Sequence, residues 1–203
     1  MVTMNDMKIF NRWSTEEIEV KDVGLKKYIN LKPTLVPRSG GRYAKHQFHK
    51  SKMNIVERFM NKLMVPGHRG KKHVITSGKA AGKTEIHYKI VKEVFEKIEN
   101  QTKKNPIEIL VRAIENSALK EEITQYQIGG IIVRRAVITA PQRRVDLALV
   151  NIVQAAYRKS FGKKENMVGT LTNEIIAAYN NDGSKSEAIK EKERVERESE
   201  GAR

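Results

Sequence analysis

The chain has 203 residues and a formal net charge of +15, with 39 Lys and Arg against 24 Asp and Glu. Only 39% of the residues are hydrophobic, and cysteine is absent, which excludes disulfides and thiolate metal sites. No apolar run is long enough to span a bilayer and Met1 to Phe10 lack a secretory apolar stretch, so the expectation is a soluble, cytoplasmic protein of one domain with extensions.

Residues 1–31 are neutral and mixed, with Ile9, Phe10, Trp13, Ile18, Leu25 and Ile29 available to dock on a core. Phe10 and Trp13 read as anchors for this segment rather than as a base-stacking platform. The charge then concentrates: residues 32–83 hold thirteen Lys and Arg and a single acid, Glu57. Residues 32–53 read as a basic arm, where Pro33, Pro37, Gly40 and Gly41 interrupt regular structure between Arg38, Arg42, Lys45, His46, Lys50 and Lys52. The extension 1–53 thus precedes a helical domain, 54–203. Asn54 caps a helix running to about Met64, which Pro66 and Gly67 end. Residues 65–83 form a long basic loop.

Thr84 opens the next helix, with Ile86, Ile90, Val91, Val94, Phe95 and Ile98 inward and Glu93, Glu96 and Glu99 on a solvated face. Asn105-Pro106 is a helix start, followed by Ile107, Leu110, Val111, Ile114 and Ala118 at inward spacing. A hairpin over 122–140 pairs two β-branched runs around Gly129-Gly130. A lone two-stranded ribbon is marginal in water, so it should protrude and be stabilised by whatever it touches. Pro141 starts an apolar helix through about Phe161, expected to be the central core helix. A further helix spans Leu171 to Tyr179. Ser184 and Glu187 then form a capping box before a highly charged last helix. The fold class is mainly α: a single domain of about six helices with one protruding two-stranded β-hairpin and a basic N-terminal extension.

A field concentrated in one quarter of the chain needs a polyanion. Basic residues mixed with Gly, His and Ser favour nucleic acid over a membrane surface. Arg143 and Arg144 sit at the positive end of a helix dipole, a conflict of roughly 0.3–1 kcal/mol each. Either they clamp a phosphate, or they are solvated or paired with a nearby acid; the sequence leaves these readings level. Arg134 and Arg135 are neighbours on a strand, so they face opposite sides of the ribbon. Ser77 to Thr84 resembles a phosphate-binding loop, but three rather than four residues separate Gly78 from Gly82. No catalytic set emerges, and His46, His49, His68 and His73 without cysteine make a poor zinc site. The expectation is a non-enzyme without metal or cofactor that binds RNA as a structural protein; the alternatives are a free-standing RNA- or DNA-binding regulator and, more remotely, a nucleotidase using residues 77–84.

The order Asn105-Pro106, Val111-Arg112-Ala113-Ile114-Glu115-Asn116, Gly129-Gly130 and Pro141-Gln142-Arg143-Arg144-Val145-Asp146-Leu147-Ala148-Leu149 resembles the small-subunit ribosomal protein seven family. The likeness extends over about residues 9–203. Trp13-Ser14, Glu19-Val20-Lys21-Asp22, Ser39-Gly40-Gly41-Arg42 and the Arg203 ending resemble its archaeal and eukaryotic branch. The resemblance implies binding to the 3′ major domain of small-subunit rRNA and a part in starting assembly of the subunit head. It further implies that the hairpin and last helix lie near the exit-site tRNA and the mRNA path, beside small-subunit protein eleven and other head proteins. Carried onto this chain, rRNA would meet Arg38, Arg42, Lys45, His46, Lys50 and Lys52 of the arm. It would also meet Arg69, Lys71, Lys72, Lys79 and Lys83 of the loop, and Arg143 and Arg144. Gly129, Gly130, Ile131, Arg134 and Arg135 would face tRNA and mRNA. Many relatives carry Tyr and Pro just after the hairpin tip, where this chain has Val133 and Arg134.

Overall fold

A computed structural model describes residues 7–67 and 80–203. Among the described residues, six helices occupy Ile55–Leu63 (α1), Thr84–Thr102 (α2), Pro106–Ser117 (α3), Pro141–Ser160 (α4), Met167–Tyr179 (α5) and Glu187–Glu200 (α6). One antiparallel hairpin, Glu121–Ile128 (β1) and Ile131–Ile138 (β2), stands between α3 and α4. The mainly helical, single-domain architecture expected from the sequence is the one found.

Local chemistry starts α1, α3 and α4 where expected. The Asn54 side chain accepts from Val56 N (2.9 Å) and that of Asn105 from Ile107 N (3.1 Å), each satisfying an orphan donor of the first turn. Pro106 and Pro141 occupy first-turn positions where no N–H is needed. At α6 the cap is Ser186, not Ser184: Ser186 Oγ accepts from Ile189 N (3.3 Å), while Ser184 Oγ donates to Asp182 Oδ1 (2.6 Å). Helix α5 also begins four residues before the expected Leu171, at Met167.

The most enclosed helix is α3 rather than α4. Ile107, Ile109, Leu110, Val111, Ala113 and Ile114 are all fully buried, so α3 is covered on nearly every side. It packs against α2, α4, α5 and α6, whereas α4 keeps a polar face to solvent. On α2, Val91, Val94, Phe95 and Ile98 are buried as expected, and the stripe departs from the expectation at the first turn. Ile86 is half exposed, and His87 is buried in its place, its Nδ1 2.7 Å from Lys83 O.

Residues 7–31 close one side of the core. Ile9 and Trp13 bridge each other, with Phe10 and Asn11 turning between them in the left-handed region. This folds the rings of Phe10 and Trp13 edge-on against Phe95 of α2 (centroids 5.9 and 5.6 Å). Both act as anchors. Arg12 beside them bonds Glu99 (2.6 Å) and reaches Glu96 (3.6 Å), so two of the three carboxylates expected on a solvated face are partners of the extension.

The hairpin register pairs Glu121 with Ile138 through to Ile128 with Ile131. Gly129 (φ 54°) and Gly130 (φ 87°) make its two-residue turn with positive φ at both positions, as the twist of a tight hairpin demands. Every residue from Thr124 to Ile132 is exposed, so the ribbon protrudes. Its base is held by the chain's end: Ala136 N donates to Ala202 O (3.4 Å), and Arg203 bonds Glu121 (2.7 Å).

Candidate nucleic-acid interface

The arm is a loop pinned at intervals to the helical domain. At its start, Asn54 Nδ2 donates to Lys32 O (3.0 Å). Next, Glu57 Oε1 accepts from both the N–H (2.8 Å) and the Oγ (2.6 Å) of Ser39. Glu57 is the single acid of the basic segment, and it is buried in this pin rather than displayed. Toward the end, Lys50 Nζ donates to Asp146 Oδ2 (2.7 Å), and Asn30 Nδ2 donates to Lys52 O. Two short 3-10 turns, Arg42–Ala44 and His49–Lys52, shape the stretch between the pins. Gly40 (φ 63°) and Gly41 (φ 80°) take the bend that other residues would resist.

Pinning orders the backbone while leaving charge outside. Arg38, Arg42 and Lys45 are exposed, and among the described residues they have no ion-pair partner. The same is true of Lys83 at the start of α2 and of Arg134 and Arg135 on β2. Two grooves flank the arm. One, of about 590 Å³, is lined by Lys32, Arg38, Arg42 and Lys52. The other, of about 830 Å³, lies between the arm and α4, lined by His46, Phe48, Lys50, Lys62, Arg143 and Leu147 among others.

Asp146 organises the second groove. Its carboxylate takes Lys50 on one oxygen, and Arg58 Nη2 (3.2 Å) and Lys62 Nζ (3.9 Å) on the other. Burial works to raise its pKa, but the Lys50 hydrogen bond and the charges of Arg58, Lys50 and Lys62 prevail, leaving Asp146 below the ordinary carboxylate range. Arg58 is fully buried and is also tied by Nη1 to Tyr28 O (2.8 Å). Burial draws Lys62 below its ordinary value, with Asp146 opposing that shift. One anion among three cations leaves the site net positive.

The paired arginines of α4 divide in function. Arg143 is exposed, and its Nε bonds both carboxylate oxygens of Glu122 (2.8 and 3.0 Å) at the hairpin base, which raises its pKa. Arg144 turns inward: Nε donates to Leu119 O and Nη2 to Asp22 Oδ2, both at 2.8 Å. Gly24 permits that approach, since a Cβ there would stand 3.1 Å from Asp22 Oδ1 and 3.4 Å from Arg144 Nη1. The joint phosphate clamp therefore separates into one surface arginine and one internal tie. Lys50 likewise gives a hydrogen bond to Asp146, exposed Lys52 places its Nζ 3.2 Å from His49 Nε2, and the His46 ring lies 4.9 Å from that of His49, while Arg38, Arg42 and Lys45 keep no acid among the described residues.

Gly129, Gly130, Ile131, Arg134 and Arg135 lie together on the exposed ribbon. Arg69, Lys71, Lys72 and Lys79, with His68, His73, Ser77 and Gly78, fall outside the described residues. Reasoning on charge alone missed Lys62, Asp146 and Phe48. The aromatic between His46 and His49 was a readable signal for Phe48; the Asp146 cluster joins residues nearly a hundred positions apart and has none. Among the described residues, no group of three His, Asp or Glu could hold a metal, and no helix is long and apolar enough to cross a membrane.

The sequence is similar to that of proteins of one known family. Residues 25–203 match the family model "Ribosomal protein S7p/S5e". The chain is 49% identical to the small ribosomal subunit protein uS7 of Nanoarchaeum equitans, covering 97% of this chain and 99% of the relative. It is 44% identical to that of Methanothrix thermoacetophila (97% and 100% covered) and 43% identical to that of Archaeoglobus fulgidus (99% and 97% covered).

Proposed function

The chain belongs to the ribosomal protein S7p/S5e family, and from that premise we propose how its surface serves a structural, non-catalytic role in the small ribosomal subunit. The arm face binds the 3′ major, or head, domain of small-subunit rRNA and helps to nucleate head assembly. The observation that carries this reading is the set of unpartnered cations, Arg38, Arg42 and Lys45, on a backbone pinned by Glu57 and Asp146. Cations held in place neutralise phosphates with little ordering cost at the moment of binding. Arg143 extends the surface to the hairpin base.

The protruding ribbon reaches toward the exit-site tRNA and the mRNA path. There Gly129, Gly130, Ile131, Arg134 and Arg135, together on the exposed ribbon, face tRNA and mRNA, and the ribbon lies beside small-subunit protein eleven and other head proteins. The protein works in the cytoplasm as part of the ribosome. Sedimentation of a cell lysate tests the whole reading: the protein is expected to travel with small subunits. If it stays with free protein under conditions that keep subunits intact, the reading is wrong.

A further inference from the structure

Phe48 is the anomaly of the arm. Its side chain is 69% exposed inside the most positive stretch of the chain, and its backbone lies in the left-handed region (φ 63°). That backbone is nevertheless held, because Phe48 O accepts from both Ser51 N (3.4 Å) and Ser51 Oγ (2.8 Å). A large ring is thus presented to solvent from a fixed support. It stands at the 830 Å³ groove, whose apolar lining includes Met53, Leu147 and Val150, and whose polar rim carries His46, Lys50, Lys62 and Arg143. The one acid there, Asp146, is already shared by three cations. Both guanidinium Nη groups of Arg143 remain available, since only its Nε is engaged by Glu122.

We propose that this groove is a subsite for one unpaired RNA nucleotide, its base stacked on Phe48 and its phosphate held by Arg143 and Lys62. The subsite rests on the rRNA-binding reading and sharpens it. An aromatic face with cations at its edge suits a flat, electron-rich base joined to an anion. A base within a duplex has both faces covered by its neighbours, so only an extruded or single-stranded nucleotide can use the ring. Against a protein partner stands the charge: the rim of the groove carries Lys50, Lys62 and Arg143 against one acid, Asp146, that is already shared, so an anionic ligand fits it better than a neutral apolar one.

The test uses the full-length protein with a fluorescently labelled single-stranded RNA and a duplex of the same sequence, titrated at several salt concentrations. Phe48→Ala should weaken single-strand binding by roughly 5- to 100-fold, the usual consequence of losing one stacked base, with the salt slope unchanged. Duplex binding should not move, and Phe48→Trp should restore the single-strand affinity. Because the ring is exposed, the melting temperature of each variant should match wild type, which separates a binding defect from misfolding. Wild-type affinity in Phe48→Ala, an equal loss for duplex and single strand, or full activity in Phe48→Leu would each overturn the subsite. So would loss of small-subunit cofractionation by Phe48→Ala without a change in RNA affinity, which would give the ring to a protein partner. If wild type binds small-subunit rRNA and Phe48→Ala matches it, the subsite alone fails. If wild type binds no RNA in either form, the rRNA-binding reading fails with it.

Discussion

Asp146 holds three elements together through one carboxylate: the arm by Lys50, α1 by Arg58 and Lys62, and α4 through its own backbone. Arg58 has no exposed side-chain surface, so its charge depends on that carboxylate and on Tyr28 O. Removing one partner of a buried pair costs about 3–5 kcal/mol, because the other charge is stranded. Asp146 is itself partly solvated, so Asp146→Asn should fall near the lower end, about 3 kcal/mol, read as a lower urea midpoint at neutral pH. The pH dependence has a definite sign. The folded carboxylate titrates below its ordinary value, so near pH 4 the unfolded chain binds the extra proton and stability rises with pH. The Asp146 contribution is therefore complete above the ordinary carboxylate range and disappears as pH falls through the lowered folded value. Urea midpoints of wild type and Asp146→Asn should converge as pH drops below about 4. A gap that stays constant down to pH 2 would mean that Asp146 acts through packing and not charge.

At the scale of elements, buried polar groups join helices alongside the apolar core. Glu174 on α5 is fully buried and accepts from Lys159 Nζ of α4 (2.6 Å), Ser186 Oγ (2.7 Å) and Ala188 N (3.1 Å). Ser186 in turn caps α6, so a single hydroxyl connects α5 to the start of the last helix. Ser186→Ala loses the cap, worth about 1 kcal/mol, and leaves Glu174 short of a donor in a dry site, which adds about 1–3 kcal/mol. Thermal unfolding should show a clear drop in melting temperature, whereas Ser184→Ala should be close to wild type. Equal effects from the two serines would refute the cap assignment. The two serines also show what a sequence makes legible. The caps at Asn54 and Asn105 and the Gly-Gly turn follow from neighbours within a few residues, and these expectations hold; the anchoring of Trp13 also holds, but its partner Phe95 lies far along the chain. Ser184, with Glu187 three residues on, has the stronger local claim, yet the cap is Ser186, whose hydroxyl also donates to Glu174, twelve residues earlier. The turn of α2 that buries His87 and leaves Ile86 half exposed likewise depends on what packs against the helix, not on its own periodicity.

Across the whole molecule, charge is sorted by whether it has a partner. Arg58 and Arg144 serve internal ties, to Asp146 and to Asp22, while Arg38, Arg42 and Lys45 face outward without acid partners among the described residues. The basic segment was visible from composition, but its division was not. Asp22 and Arg144 lie 122 residues apart, and nothing local to Pro141-Gln142-Arg143-Arg144 distinguishes the inward arginine from the outward one. The two classes should separate in one experiment on binding to the 3′ major domain of small-subunit rRNA. Each phosphate neutralised contributes roughly 0.7–0.9 to the slope of log affinity against log salt. Replacing Arg38, Arg42 and Lys45 together with Gln should make the slope shallower by about 2–3, with the melting temperature unchanged. Arg144→Gln should do the opposite. It frees Leu119 O and Asp22 Oδ2 at a partly buried junction that fixes the N-terminal segment, so the melting temperature falls while the salt slope of the remaining folded protein stays at the wild-type value. A shallower slope in Arg144→Gln would place that guanidinium on the RNA after all, and would require the bond to Asp22 to open on binding. An unchanged slope in the triple variant would remove the arm from the interface and leave the hairpin, Lys83 and Arg143 to supply the affinity.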